Sequence, residues 1–221
     1  MDAERRGGSE PCFVSDVIGG NVVDRQVWTD VERFRRAERE RLYQTRKAHR
    51  SGKREALTRA IMQDLDSAVG RIDGRRIAVY WPIRGEPDLR PWMTRANGAG
   101  AQIALPVVIE KGQPLEFRRW WPGCPMDRGI WNIPVPSEGE TVTPELVVAP
   151  LVGVDNALYR LGNGGGYYDM TLAAMNPLPR VIGVGFPDCT IPTIYPMPWD
   201  IPMEAVVLGD GAPRIRNVDD G

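Results

Sequence analysis

The stretch Arg160-Leu161-Gly162-Asn163-Gly164-Gly165-Gly166-Tyr167-Tyr168-Asp169 places four glycines within five positions. Residues 145–154, just before it, are largely apolar, a pattern typical of a buried strand. Residues 171–175, just after it, are predicted to form a short helix that ends before Pro177. Between a strand and a helix, a glycine loop can present backbone N–H groups to phosphate, because glycine adopts positive φ and lets an anion approach closely. We therefore predict an anion-binding loop at residues 162–166.

This loop differs from the common phosphate-binding loops. It has no Gly-Lys-Ser/Thr ending, which excludes a Walker motif. Tyr167 stands where a dinucleotide fingerprint needs its third glycine. The alternative is a glycine-rich surface turn, but the residues that follow favour a ligand site. Tyrosine rings can stack on a flat heterocycle, and a carboxylate such as Asp169 beside phosphate-binding amides can hold magnesium.

Length and composition limit the class of protein. The chain has 221 residues, 42% hydrophobic and 26% charged, with a net charge of −1, which is typical of one soluble globular domain. This balance argues against a protein that coats nucleic acid. No apolar run approaches the roughly 20 residues of a membrane helix, and the polar first ten residues do not resemble a secretory signal.

The cysteine and histidine content limits the chemistry. Cys12, Cys124 and Cys189 are scattered and predict reduced thiols in a cytoplasmic protein. His49 is the only histidine, which excludes a mechanism that needs two.

Apolar periodicity predicts alternating helices and strands. Helical spacing runs through residues 30–65, with a break near Ser51, and again through residues 89–97. Strands are predicted at residues 76–81, 102–108, 115–120, 145–154, 180–186 and 205–208. This order predicts a single-domain α/β fold, an open and mostly parallel β-sheet with helices on both faces. We expect a disordered N-terminal tail at residues 1–27, the domain at 28–210, and a C-terminal tail at 211–221.

The first predicted helix is unusually basic. Such a run of charge is usually a solvated helix face. Arg35 and Arg39, four residues apart, fall on the same face of this helix.

The glycine-loop motif Arg-Leu-Gly-x-Gly-x-Gly-Tyr-Tyr-Asp resembles the signature of the 5-formyltetrahydrofolate cyclo-ligase family, also called methenyltetrahydrofolate synthetases. The resemblance runs from about Phe34 to Val207. Its further motifs are Tyr80-Trp81-Pro82 with Glu86, Leu105-Pro106, residues 129–136, and Asp200-Ile201-Pro202. It implies that ATP phosphorylates the formyl oxygen of 5-formyltetrahydrofolate, after which ring closure gives 5,10-methenyltetrahydrofolate. It also implies small-molecule substrates, no nucleic-acid or membrane partner, and a monomer or weak dimer.

The resemblance assigns roles residue by residue. The catalytic residues would be Arg35, Arg39 and Glu86. ATP would be bound by Arg35, Arg39, Arg160, Leu161, Gly162, Asn163, Gly164, Gly165, Gly166, Tyr167 and Tyr168. The folate substrate would contact Trp81, Glu86, Trp131 and Tyr167, and Mg²⁺ would be held by Asp169 and Asp200.

Four positions depart from the family pattern. Met170 replaces an arginine, Trp199 a histidine, Leu208-Gly209 a Thr-Glu pair, and Asn163 a tyrosine or basic residue. Three hypotheses therefore stay open: a working cyclo-ligase, a paralogue that binds ATP and acts on another pterin or heterocycle, and a non-catalytic binding protein.

Overall fold

The computed structural model of the chain describes residues 15–18 and 20–216. Its helices are α1 (Arg25–Lys47), α2 (Ser51–Val69), α3 (Arg90–Gly98) and α4 (Tyr167–Ala173). Its strands are β1 (Ser15–Ile18), β2 (Asn21–Asp24), β3 (Arg76–Ala78), β4 (Gln102–Val107), β5 (Glu116–Arg119), β6 (Met126–Arg128), β7 (Pro134–Pro136), β8 (Leu146–Pro150), β9 (Gly153–Val154), β10 (Arg160–Leu161), β11 (Arg180–Val184), β12 (Ala205–Val207) and β13 (Arg214–Ile215).

The central sheet confirms the predicted fold class. Its strand order is β13-β12-β11-β8-β3-β4-β5, in which β12, β11, β8, β3 and β4 run parallel. The two edge strands, β13 and β5, pair antiparallel with their neighbours. Strand β8 lies in the middle and all five of its residues are buried, as expected for a parallel strand covered on both faces.

Side chains alternate between two cores, one on each face of the sheet. Leu146 and Val148 of β8 belong to the core that α2 and α3 cover, which contains Trp92. Val147 belongs to the opposite core, which contains Leu172 of α4. This alternation confirms helices on both faces of one α/β domain. None of the described helices is long and apolar enough to span a lipid bilayer.

The glycine-loop region differs from the predicted boundaries in two ways. Helix α4 begins at Tyr167 and not at residue 171, because Gly166 adopts φ 66° and turns the chain into the helix. Both tyrosines and Asp169 therefore lie in the first turn of α4. The predicted strand at residues 145–154 is divided into β8 and β9, and β9 pairs with β10 in a separate hairpin.

The ordered structure begins before residue 28, which corrects the predicted N-terminal boundary. Residues 1–14 and 19 of the predicted tail lie outside the described residues, but β1 and β2 form a hairpin and α1 follows. Asp24 caps α1, since its Oδ1 accepts hydrogen bonds from the amides of Gln26 (2.7 Å) and Val27 (3.1 Å). Val23 packs with Met197, a partner that no local sequence pattern indicates.

The predicted C-terminal tail at residues 211–221 also contains structure. Strand β13 extends the sheet at Arg214–Ile215, and residues 217–221 lie outside the described part of the chain. This strand has only two residues, both exposed, so the sequence shows no alternation of apolar and polar residues from which to predict it.

Candidate active site

The glycine loop leaves the β9–β10 hairpin directly beside α1. Leu161 is buried against Leu42 of α1 and Val152, and its carbonyl oxygen accepts a hydrogen bond from the Val152 amide (3.0 Å). Leu161, predicted to bind ATP, thus anchors the loop through core packing. The hairpin follows the carboxyl end of β8, the edge at which parallel sheets usually bind ligands.

Two guanidinium groups lie against the glycines of the loop. Arg39 Nε donates a hydrogen bond to the Gly162 carbonyl oxygen (2.8 Å), and a Cβ added at Gly164 would lie 3.5 Å from Arg39 Cζ. A Cβ added at Gly162 would collide with Nη1 of Arg160. Gly164 has φ 102°, which L-residues rarely adopt. The loop therefore needs glycine at position 164 for its backbone conformation, whereas a side chain at position 162 would require the Arg160 guanidinium to move.

The positive charge at the loop is concentrated. Burial lowers the pKa of Arg39, and repulsion from Arg35 lowers this pKa further. Arg160 adds to the same repulsion. In the part of the chain that the structure describes, Arg39 forms no ion pair with a carboxylate, in contrast to Arg35 and Arg160. A bound anion would relieve this repulsion, which favours the predicted anion site.

The two predicted metal ligands are linked through Ile201, and each forms an ion pair with an arginine. Asp169 accepts a hydrogen bond from Arg160 (Nη2 to Oδ2, 2.7 Å) and another from the Ile201 amide (3.2 Å). Asp200, next to Ile201 in the chain, forms an ion pair with Arg35. The side chains of Arg35 and Asp200 are each only 8% exposed.

The donor set fits a magnesium ion that is shared with a phosphate ligand. Among the described residues, no group of three or more His, Cys, Asp or Glu side chains could hold a metal alone. Mg²⁺ usually takes only one or two carboxylates and completes its shell with phosphate and water. Among the described residues, each oxygen of Asp169 accepts a hydrogen bond from a single protein donor, which leaves lone pairs available.

The guanidinium of Arg35, which was predicted to bind ATP, already donates four hydrogen bonds within the protein. Its Nε donates to the Ile194 carbonyl oxygen (2.9 Å), its Nη2 donates to the Tyr195 carbonyl oxygen (2.9 Å), and both Nη atoms donate to Asp200. These four bonds use most of the five N–H groups of a guanidinium. Arg35 therefore positions the segment that carries Asp200, with little capacity left for a phosphate.

Glu86 is a buried acid beside the loop. It is 4% exposed, its Oε2 accepts a hydrogen bond from the Ile83 amide (3.0 Å), and its Oε1 has no hydrogen-bond partner among the described residues. Burial raises the pKa of Glu86 to about 7, although the Ile83 amide and the charge of Arg46 act in the opposite direction. The side chain of Asn163 acts in that direction too, which places the glycine loop next to this acid.

The predicted aromatic residues separate into two groups. Trp131 is 57% exposed and makes an edge-on contact with Tyr167, with 5.4 Å between ring centroids. Tyr168 lies under the guanidinium of Arg160, 5.0 Å from its ring centroid. Trp81 instead packs against the core, with Arg90 5.3 Å from its ring centroid. The structure thus brings Trp131 and Tyr167 together at the loop, while Trp81 contacts the core and Arg90.

Further residues at the site escaped prediction. The hydroxyl of Tyr43 donates to Oδ1 of Asn163 and accepts a hydrogen bond from Nη1 of Arg84 (3.1 Å). Tyr43 and Arg46 continue the helix face of Arg39 at spacings of three to four residues. That spacing is a signal present in the sequence, whereas the approach of Arg84 from a distant loop is not.

Comparisons with known proteins agree on one family. The model of the 5-formyltetrahydrofolate cyclo-ligase family matches residues 31–209. A 5-formyltetrahydrofolate cyclo-ligase of Mycolicibacterium smegmatis is 29% identical over 145 residues, which cover 62% of this chain and 75% of that protein. One of Escherichia coli is 32% identical over 140 residues, which cover 59% of this chain and 76% of that protein.

Solved structures agree as well. The 5,10-methenyltetrahydrofolate synthetase of Aquifex aeolicus has a TM-score of 0.70 and 28% identity, with 85% of this chain and 94% of that chain covered. A 5,10-methenyltetrahydrofolate synthetase from Mycoplasma pneumoniae shares the fold, with a TM-score of 0.66, 22% identity, and coverage of 80% and 99%.

Proposed function

The chain belongs to the 5-formyltetrahydrofolate cyclo-ligase family, and on this premise we propose that it catalyses the ATP-dependent cyclisation of 5-formyltetrahydrofolate to 5,10-methenyltetrahydrofolate, with release of ADP and phosphate. One observation carries the proposal: Asn163 of the glycine loop lies beside Glu86, whose buried Oε1 has no hydrogen-bond partner among the described residues. A phosphate donor and a nitrogen heterocycle could therefore bind side by side, as a transfer between them requires.

The nucleotide phosphates would bind at the glycine loop. Backbone N–H groups of residues 162–166 would donate hydrogen bonds, and Arg39 and Arg160 would contribute positive charge. Asp169 and Asp200 would hold Mg²⁺, which when bound neutralises charge on the phosphate oxygens. Arg35 would act indirectly, by keeping Asp200 in place.

The pterin end of the folate would bind beside Glu86. Oε1 of Glu86 is a buried acceptor without a partner in the described residues, and pterin rings carry N–H donors that could satisfy it. Trp131 and Tyr167 would cover the flat ring system from the exposed side. Trp81 would support the pocket from the core.

The chemistry needs positioning more than it needs a protein nucleophile. The formyl oxygen on nitrogen-5 attacks the γ-phosphorus, and the bond from that phosphorus to the oxygen of ADP breaks. Nitrogen-10 then attacks the formyl carbon, the carbon–oxygen bond to phosphate breaks, and the nitrogen-10 proton is lost. The scheme requires no histidine, and His49 is buried and paired with Asp188 (2.5 Å between Nε2 and Oδ2).

We also propose that the reaction takes place in the cytoplasm. Cys124 and Cys189 are both free and buried, as expected of thiols in a reducing compartment.

The test is the absorbance rise of methenyltetrahydrofolate when the protein is mixed with 5-formyltetrahydrofolate, ATP and Mg²⁺. We expect the rise only when all components are present, and a large loss in Glu86→Gln. ATP binding without any methenyltetrahydrofolate formation would contradict the proposal. It would favour a paralogue that acts on another heterocycle. Met170, which stands at the position of the family arginine, is the observation that supports this alternative.

A further inference from the structure

A second basic site adjoins the segment that carries Glu86, and its cations differ from those at the glycine loop. A cavity of about 520 Å³ opens between α1, α2 and the loop that follows β3. Its walls carry the side chains of Arg46, Lys47, Arg54, Arg84, Tyr43 and Glu40. Four cations against one carboxylate leave three uncompensated positive charges. We call this cavity the basic pocket.

Polar atoms of the basic pocket lack protein partners. Arg46 is 4% exposed; its Nη2 donates to the Leu151 carbonyl oxygen, but its buried Nη1 has no partner among the described residues. Arg54 Nη2 donates to the Arg46 carbonyl oxygen (3.2 Å), while its buried Nε is likewise unpaired. Buried donors without acceptors are unfavourable, so a ligand with several anionic oxygens would stabilise this arrangement.

The backbone brings Arg84 to the pocket wall in a strained conformation. Arg84 has φ 49° and Gly85 has φ 74°, two successive left-handed residues of which the first is not glycine. The Arg84 guanidinium lies 5.6 Å from the ring centroid of Tyr43. A Cβ added at Gly85 would lie 3.6 Å from both Nη atoms of Arg54. Strain of this kind persists where surrounding contacts hold it, and it is concentrated at ligand sites.

The position of the basic pocket indicates which anion it takes. Tyr43 separates it from the glycine loop, since the Tyr43 hydroxyl bonds to Asn163 on one side and to Arg84 on the other. The loop has its own cations, Arg39 and Arg160, so the nucleotide phosphates do not need the pocket. Gly85 lines the pocket and directly precedes Glu86 in the chain, so the pocket adjoins the proposed pterin position.

We propose that the basic pocket binds the glutamyl carboxylates of the folate substrate and so contributes to folate affinity. The inference rests on the proposed function, because it assigns the anionic end of the same substrate. Carboxylate oxygens could accept the free N–H groups of Arg46 and Arg54, with Lys47 and Arg84 adding charge at the rim.

The test compares two ligands that differ only in the glutamyl group. Calorimetric titration would measure the affinity of 5-formyltetrahydrofolate and of 5-formyltetrahydropteroate for the native protein and for the Lys47→Gln/Arg54→Gln variant, which spares Arg84 and its contact with Tyr43. A charge-matched control, Arg36→Gln/Arg59→Gln, changes two exposed arginines outside the pocket. We expect the pocket variant to lose about fivefold or more in affinity for the glutamyl ligand, with little change for the pteroate or for ATP. The control variant should match the native protein.

Three outcomes would count against the inference. Equal losses for both pterins, or no loss for either, would show that the pocket does not contact the glutamyl group. A selective loss of ATP affinity would show that phosphate occupies the pocket. Failure of the native protein to bind either pterin, with ATP still bound, would overturn the proposed function itself and the inference with it.

Discussion

Two arginine-rich regions lie along the same helix, and their charges are balanced differently. Near the glycine loop, Arg35 is paired with Asp200, and Arg160 is paired with Asp169. One to three turns further along α1, the basic pocket gathers Arg46 with other cations that have no ion pair in the described part of the chain. We conclude that the paired arginines hold Asp169 and Asp200 in place before any ligand arrives, whereas the unpaired ones remain available to a ligand.

Pairing has an energetic reason. A buried charge that keeps its partner is tolerated, whereas removal of one partner leaves the other charge desolvated and uncompensated. The basic pocket avoids this cost only in part, because Lys47 and Arg84 are exposed while Arg46 is buried. The two regions should therefore respond differently to mutation, the first mainly in stability and the second mainly in ligand affinity.

The largest expected effect is at the paired region. Asp200→Asn removes the charge partner of buried Arg35, and we expect it to lower the free energy of unfolding by about 3–5 kcal/mol. Asp30→Asn, which breaks the exposed Arg33–Asp30 pair on the same helix, is the matched control and should cost less than about 1 kcal/mol. Urea denaturation measures both free energies of unfolding, and similar losses in the two variants would show that the Arg35–Asp200 pair contributes no more to stability than an exposed pair.

Glu86 lies between the two regions and should make stability depend on pH. Its pKa is about 7 in the folded protein, against an ordinary value of 4.5, because burial disfavours its charged form. Between these values the folded state keeps a proton that the unfolded state has lost. The free energy of unfolding should therefore fall as pH rises from about 5 to 8, by up to roughly 3 kcal/mol.

Denaturation across this pH range in Glu86→Gln isolates the effect, because glutamine cannot titrate. The fall should be absent in that variant and intact in Glu138→Gln, which changes an exposed carboxylate. An identical slope in the native protein and Glu86→Gln would mean that another group causes the pH dependence.

At the glycine loop, substitution should act on the ligand and spare the fold. Gly164→Val forces a branched side chain into φ 102°, which distorts the backbone of the proposed phosphate-binding loop, so we expect a loss of about hundredfold in ATP affinity. Gly52→Val is the control, since that glycine has no positive φ and no atom near its added Cβ. Titration of the folded variants with ATP measures the affinity. An unchanged affinity in Gly164→Val would show that the loop is a surface turn that does not bind phosphate.

Sequence patterns predicted the central fold well, because its signals are local. The apolar runs of β8 and β11 and the helical spacing of α1 and α2 are all visible within a few residues. The family resemblance likewise predicted that Arg39, Arg160 and Glu86 belong to one site. What escaped prediction depends on contacts between distant segments: the Arg35–Asp200 pair, the approach of Arg84 to Tyr43, and the packing of Val23 on Met197. No local pattern encodes which distant carboxylate neutralises a given arginine.

The smallest expected effect tests whether the loop region is short of one cation. Met170 stands in α4, directly after Asp169, where the family pattern has an arginine. If the charges of the other loop arginines are partly neutralised by their aspartates, an added guanidinium should strengthen phosphate binding through paired hydrogen bonds. We expect Met170→Arg to raise the rate of methenyltetrahydrofolate formation by up to about tenfold, against a helix-dipole penalty below about 1 kcal/mol.

Controls separate charge at the loop from charge in general. Leu178→Arg adds the same charge at an exposed site after α4, and Met170→Leu removes the sulfur without adding charge; neither should raise the rate. Asp169→Asn added to Met170→Arg should remove the gain, because it weakens the proposed magnesium ligand. A native rate that Met170→Arg leaves unchanged would show that Arg39, the loop arginine without a carboxylate partner in the described residues, already supplies the charge that the transferred phosphate needs.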